Sequence, residues 1–487
     1  MNHLPSQAHS RNAFEGDRWV FNGMLALLFW LPLPLASNRV WAVGILVAMV
    51  CTLCAGAAFA WRRDLAGACA TLAKFKLPLA LFGLFVALAI VQVLPLPAAV
   101  LGLLSPASLR VQQETQAALH VNLPLYLSLD LYQSRLMASL SIAYFLAFAL
   151  LLLLVRGARR LERAVQAIVW SGLLQAMLGI FLFSVGAHYH LFFTDIEHSR
   201  ALGTFVNRNH LAGYLEMSLA LGIGLMLARL GQGGPAYPGW RQRLVAGLAF
   251  VISPKMRLRL MLVVMVMALV LTRSRMGNTA FFASLLAVGL VSLPLSWRTA
   301  PATVALIVSL LVVDIVIVGT WVGLEKVVER INDTTVVATS GHIEDSVEER
   351  LLPAHQALEL IAQYPAFGTG AGSFYNAFGT VRPPAVRNYF DHAHNDYAEV
   401  ASDSGLPAAA LLAALVLATV VSALTVLVRR RSSLPRGVAF GVLMSIVALA
   451  IHSSVDFNLQ IPANALTFVL ILALGWAAQA LPSRRPH

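Results

Sequence analysis

The segment His392-Ala-His-Asn-Asp-Tyr-Ala-Glu-Val-Ala-Ser-Asp-Ser-Gly-Leu-Pro407 runs directly into the apolar stretch Ala408 to Val428. The second half of that pair decides the fold. A spanning helix needs roughly 20 mainly apolar residues, and 406–428 supplies them without a charge. Lipid offers no water to unpaired backbone groups, so such a run must close its own hydrogen bonds as a helix. The first half sets two His, an Asn and three carboxylates (Asp396, Glu399, Asp403) at the mouth of that helix. In a chain that is 58% hydrophobic and 12% charged, such crowding implies either a solvated face or chemistry.

Working outward, the same reading recurs along the chain, whose mean hydropathy is +0.74. About twelve apolar runs centre on 19–37, 40–60, 77–94, 134–154, 164–185, 211–229, 260–272, 279–295, 302–320, 406–428, 437–453 and 462–481. The expected class is an all-α integral membrane protein of about twelve transmembrane helices. The polar start, with Arg11, Glu15, Asp17 and Arg18, precedes a first run read as an uncleaved anchor. Lys and Arg collect on the cytoplasmic side of membrane proteins. With the N-terminus inside, 23 of the 35 Lys and Arg fall on that side, so both termini are expected in the cytoplasm. The net charge of +12 then reflects orientation, and no nucleic-acid-binding motif accompanies it.

The expected layout is a cytoplasmic tail at 1–18, nine spans within 19–320, a large outer loop at 321–405, three spans within 406–481 and a tail at 482–487. Shorter outer segments lie near 95–133 and 186–210. The large loop holds twelve of the chain's 23 acids and should contain its own elements, because a structureless loop of that length is unusual. Glu348 to Ala362 has helical spacing of its apolar residues. Gly368-Thr-Gly-Ala-Gly-Ser373 reads as a turn or close backbone approach; no strand precedes it, which excludes a dinucleotide fold. The basic connector 230–258 has an apolar part, Leu244 to Ser253, that could lie in the interface. Cys51 and Cys54 form a Cys-x-x-Cys inside an apolar run and read as small hydrophobes, as does Cys69 in its loop.

Four polar constellations converge on the outer face: Arg200 to His210, Thr272 to Gly277, Arg350, and the segment around His394. Arginines at helix ends usually snorkel to water. Arg273 and Arg275, between two apolar runs, are expected to point into the bundle, where ionised groups pair or line a cavity. Guanidinium suits bidentate phosphate binding. A histidine near its ordinary pKa can act as a general base. His-x-His beside carboxylates also suits zinc, which needs at least three well-placed ligands.

These residues resemble the superfamily of O-antigen ligases and O-antigen polymerases, bacterial envelope enzymes. The resemblance covers about 200–470. It rests on Gly203-Thr-Phe-Val-Asn-Arg-Asn-His-Leu-Ala-Gly-Tyr214, Ser274-Arg275, Arg350, Pro365 to Phe374, His392-Ala-His-Asn395 and Asp456-Phe457. The ligase signature is His-Asn, nine residues, then Gly-x-x-Gly. His394-Asn395 and Gly405 fit it, and Ala408 departs from it. The resemblance implies a GT-C-like membrane glycosyltransferase with a partly helical periplasmic loop in the bacterial inner membrane. It would move a glycan from undecaprenyl pyrophosphate to an acceptor hydroxyl on lipid A–core or another glycan, without metal or other cofactor and with inversion. By analogy His394 is catalytic, and Arg200, Arg275 and Arg273 bind the donor pyrophosphate. Asn395, His392, Arg350, Asn209, His210 and Glu399 support the site or the substrate. A repeat-unit polymerase, a protein O-glycosyltransferase and, in another class, a polyprenyl-lipid or sugar transporter are the alternative readings.

Overall fold

A computed structural model describes residues 16–186, 189–191, 194–196, 200–230, 253–295, 347–383 and 389–482. The expected span at 302–320, the loop residues 321–346 and the apolar connector stretch 244–252 lie outside the described residues.

The helices are α1 (Arg18–Trp30), α2 (Val40–Trp61), α3 (Leu65–Leu72), α4 (Lys76–Val91), α5 (Ala98–Leu104), α6 (Pro106–Leu119), α7 (Leu131–Leu154) and α8 (Ala158–Val185). Then follow α9 (Arg208–Leu230), α10 (Pro254–Leu271), α11 (Arg275–Leu295), α12 (Val347–Gln363), α13 (Phe374–Val381), α14 (Asp396–Ser404), α15 (Leu406–Arg429), α16 (Ser433–His452) and α17 (Pro462–Ala480). Between α8 and α9, strands β1 (Tyr189–Leu191) and β2 (Thr194–Ile196) pair antiparallel.

The protein is a multi-pass membrane protein. Among the described residues, nine helical stretches are long and apolar enough to cross a bilayer. They match nine of the twelve expected runs. The run at 19–37 instead gives α1, only 13 residues long, followed by a turn and a short 3-10 segment at Leu35–Ser37. Its apolar residues face protein, with Val20, Phe21, Met24, Leu27 and Leu28 all buried. The run at 260–272 lies in α10, whose first turns carry Lys255, Arg257 and Arg259.

Burial sorts these helices into a centre and a rim. The most apolar 18-residue window of α9 is 94% buried, against 33% for α15, so α9 is the axis and α15 faces outward. Small residues let helices meet closely in lipid, and α9 meets α16 that way. A Cβ on Gly224 would lie 2.1 Å from the carbonyl oxygen of Gly437, and one on Gly437 would lie 2.2 Å from that of Gly224. One on Gly441 would come within 2.8 Å of the carbonyl oxygen of Ala220.

A small helical cap stands at one end of the bundle. Its own core joins Ala357 and Leu360 of α12, Phe374 and Phe378 of α13, and Ala393 ahead of α14. The expected helix near 348–362 is present as α12. The 95–133 segment folds as α5 and α6 and ties into the cap: the Leu129 N–H donates to the Thr369 carbonyl at 2.7 Å. At the other end of the bundle, Arg160 of α8 pairs with buried Asp17 at 2.6 Å, anchoring α1.

The α9–α16 seam leaves no room for a side-chain carbon. Gly224→Val or Gly437→Val should cost about 1–3 kcal/mol through overpacking. A lowered unfolding temperature in detergent, with the cap residues left intact, would register it.

Candidate active site

The polar segment ahead of α15 is built around one acceptor, Glu399, which is 1% exposed. Its Oε1 lies 2.6 Å from Nδ1 of His392, and its Oε2 accepts the backbone N–H of Ala393 at 2.8 Å. That clamp folds 392–399 back on itself. Asn395 caps α14: its Oδ1 accepts from the Ala398 N–H at 3.0 Å, while its Nδ2 donates to the Ser454 carbonyl at 2.9 Å. Asn395 therefore starts α14 and fastens it to the segment after α16. His394, between the two, adopts a left-handed backbone with φ +49°.

That segment after α16 is bound from both sides. The Asp396 N–H donates to the Ser453 carbonyl at 3.0 Å, and the Ser453 hydroxyl donates to the Asp396 carboxyl at 2.6 Å. Asp456 accepts from Asn209 Nδ2 at 2.6 Å and from the Phe457 N–H at 2.9 Å, and stands 3.7 Å from His210 Nε2. Phe457 is the point of assembly. His392 stacks on its ring at 4.1 Å, and His394 and His210 meet it edge-on at 5.0 and 4.6 Å. Three imidazoles from two distant chain segments thus share one phenyl ring.

The arginine edge adjoins the start of α9. Gly277 of α11 packs on α9 so tightly that an added Cβ would lie 2.6 Å from Cβ of Ala212 and 3.1 Å from Glu216 Oε1. Ala212 is half a turn beyond His210, and Arg275 is the first residue of α11. The Ala201 N–H donates to the Leu271 carbonyl at 3.1 Å, which brings Arg200 beside the α10–α11 turn. Arg200 is half-buried; Arg273 and Arg275 are exposed. This corrects the expectation that the latter two point into the bundle. The turn between α10 and α11 is short enough to leave both side chains on its outer surface, and Arg273 makes that turn with φ +55°. The side chain of Arg350 lies outside the described residues.

Deeper in, Glu216 of α9 and His452 of α16 form a fully buried pair, Oε1 to Nδ1 2.8 Å. His452 is the last residue of α16, so this pair sets where the Ser453–Phe457 segment begins.

The glycine segment 368–373 does structural work here. Gly368 has φ +66°, and a Cβ on it would lie 2.3 Å from the Asp403 carbonyl oxygen. Gly405 has φ +83° and the same tight contact with the Ala366 carbonyl oxygen, at 2.5 Å. The Gly372 N–H donates to the Asp403 carboxyl at 2.8 Å. Gln92, unremarked in the sequence, stitches this together: its Nε2 donates to the Phe367 carbonyl at 2.6 Å and its Oε1 accepts the Ala371 N–H at 3.1 Å. Ala408, the departure from the ligase signature, is a buried helical residue of α15, where Ala is intrinsically better than Gly.

Electrostatics separates three acids and a histidine. Burial pushes the His392 imidazolium down, but the Glu399 carboxylate outweighs it and the net value rises to about 9. Burial raises Asp396 to about 8 against the hydrogen bonds from Ser453 and Leu459. Burial, then the nearby Glu399 charge, raises Asp403 well above the carboxylate range. Asp456 goes the other way: burial would raise it, but His210, His452 and the Phe457 N–H hold it well below that range. Among the described residues, no group of three His, Cys, Asp or Glu is placed to hold a metal ion.

Asp456 and Phe457 belong to this assembly although the sequence marked them only as part of a motif. Their place depends on ring packing across about 60 residues of chain, which no local periodicity encodes. Compared with known families, residues 260–413 match the O-antigen ligase family (Wzy_C). The match runs from within α10 into α15 and includes Arg273, Arg275 and the whole 392–407 segment. No curated protein matches the chain.

Two titrations act in one direction. His392, raised in the fold, contributes stability below its unfolded value and loses it as pH climbs through about 9. Asp396 binds its proton more tightly folded than unfolded, so its ionisation on the way up through about 8 also destabilises. Amide exchange at Ala393 and Glu399, corrected for intrinsic rate, should therefore quicken between neutral pH and about 9.5. His392→Gln should remove the upper part of that rise.

Proposed function

Because residues 260–413 carry an O-antigen ligase domain, we propose that this protein is a GT-C-like glycosyltransferase of the bacterial inner membrane. It transfers a glycan from undecaprenyl pyrophosphate to an acceptor hydroxyl, that of lipid A–core, on the periplasmic face, with both termini in the cytoplasm. The observation that carries the reading is the convergence of His394, His392 and His210 on Phe457, with the Arg200 and Arg275 edge adjoining the same helix end.

The chemistry divides between those two parts. Departure of the pyrophosphate develops negative charge, which preorganised cations stabilise. Arg200 and Arg275 supply that charge, with Arg273 beside them, and their planar forks match phosphate oxygens. The exposure of Arg273 and Arg275 suits a ligand that arrives from the membrane surface. His394 takes the proton of the acceptor hydroxyl, or orients it, as the oxygen attacks the anomeric carbon opposite the leaving group. Attack from that side inverts the centre, and arginines take the part that a metal ion plays in other transferases. His392, held charged by Glu399, adds a further cation near the reaction. Asn395 and Asn209 position the two segments that meet at Phe457. Arg350 would complete the cationic set.

Purified protein in nanodiscs, given an undecaprenyl-pyrophosphate-linked glycan and lipid A–core, tests this. His394→Ala should lower the transfer rate by about 10²–10⁴-fold, the range for loss of a general base. Arg275→Ala and Arg200→Ala should weaken donor binding. Full transfer by His394→Ala sinks the catalytic role, and extension of the glycan without lipid A–core as acceptor makes the enzyme a polymerase.

A further inference from the structure

The cap carries an aromatic surface that the chemistry above does not use. Tyr375 of α13 and Tyr389, ahead of the His392 segment, are 52% and 45% exposed, and their rings lie 4.8 Å apart. Gly379, one turn beyond Tyr375, makes room for this pairing: a Cβ there would sit 3.3 Å from the Tyr389 hydroxyl. Tyr389 therefore lies along α13 instead of projecting from it. The Arg382 guanidinium is centred 5.5 Å from the Tyr389 ring and is itself exposed. The result is a ledge of two exposed rings inclined at 58° to each other, with a cation at its edge.

The ledge is connected to the site through a chain of ring contacts. Tyr389 meets Phe378 at 5.9 Å, Phe378 meets Phe390 at 5.7 Å, and Phe390 meets His394 at 6.4 Å. Phe378 is fully buried in the core of the cap, so the exposed rings stand on fixed packing. Among the described residues, the His394 ring meets both Phe457 and Phe390. Phe457 leads to His210 and the arginine edge, whereas Phe390 leads to the ledge.

We propose that the Tyr375–Tyr389 ledge is the subsite on which a sugar ring of the acceptor glycan stacks, with Arg382 hydrogen-bonding its hydroxyls. This rests on the glycosyltransferase reading. An aromatic face carries negative quadrupole charge, and the C–H bonds of a pyranose face present the complementary positive edge. A guanidinium offers five donors and no acceptor, which suits the hydroxyl and carboxylate oxygens around a sugar. The acceptor is favoured over the donor because the arginines that would hold pyrophosphate reach His394 through its other neighbour. The hydroxyl to be glycosylated would then come to His394 from the side of Phe390.

Steady-state transfer from an undecaprenyl-pyrophosphate-linked glycan to lipid A–core, in nanodiscs, provides the test. The double variant Tyr375→Leu/Tyr389→Leu should raise the KM for lipid A–core about tenfold, the size of one or two aromatic contacts. Its kcat and donor KM should stay within about twofold, and Tyr389→Phe should retain the wild-type acceptor KM because the ring face survives. An unchanged acceptor KM in the double variant, or a rise confined to the donor KM, overturns the subsite while leaving the transferase reading intact. If the wild type transfers to no acceptor, the transferase reading fails, and the ledge is judged by binding alone. Saturation-transfer NMR with free core oligosaccharide needs no turnover. Binding by the wild type that the double variant loses upholds the subsite; no binding by the wild type, or equal binding by both, overturns it.

Discussion

Helices α9 and α16 touch backbone to backbone at Gly224 and Gly437, and the remaining geometry follows from that contact. With the axes held this close, Glu216 and His452 face each other at 2.8 Å near the far end of the pair. An ionisable pair with no exposure is costly in a bilayer unless each member has its partner, so the register of the two helices is tightly determined. From His452 the chain turns at once into Ser453, which grips Asp396, and then into Asp456 and Phe457. The site therefore sits where it does because two glycines several turns away let their helices close up.

Much of this architecture is legible in the sequence because lipid imposes one rule on every span. The apolar runs at 40–60, 134–154 and 406–428 read directly as α2, α7 and α15. The first run departs from it: the run is apolar enough to span, yet α1 is 13 residues and gives way to a turn holding Pro32 and Pro34 and then a 3-10 segment. Proline removes a backbone donor that a continued helix needs. The crowding of His392, His394, Asn395 and Glu399 was visible for a different reason: they are neighbours in the chain, and a capping Asn before a helix is a local signal. Gln92 carries no such signal, and Phe457 shows only as part of the Asp456-Phe457 motif. Each acts through contacts made across many residues, and a lone Gln in an apolar chain looks like any other. The direction of Arg273 and Arg275 is not legible either, since the exposure of a turn depends on how sharply it closes.

The candidate site joins two chemically different halves. One is an edge of guanidinium groups, partly exposed and permanently charged. The other is a group of imidazoles around one phenyl ring, of which His392 is held charged by Glu399. The ring has no charge of its own to neutralise, so it gathers three histidines without pairing any of them off. Asp456 stays ionised beside them and accepts from Asn209, which keeps the α9 end and the post-α16 segment in one piece.

The backbone of His394 has a consequence for how such a protein can change. A left-handed φ of +49° is relaxed for glycine and, among the other residues, is best tolerated by asparagine, aspartate and histidine. A β-branched or bulky side chain would be strained there. The backbone thus narrows the residues that position 394 accepts, and histidine is one of the few that combine this turn with a titratable ring.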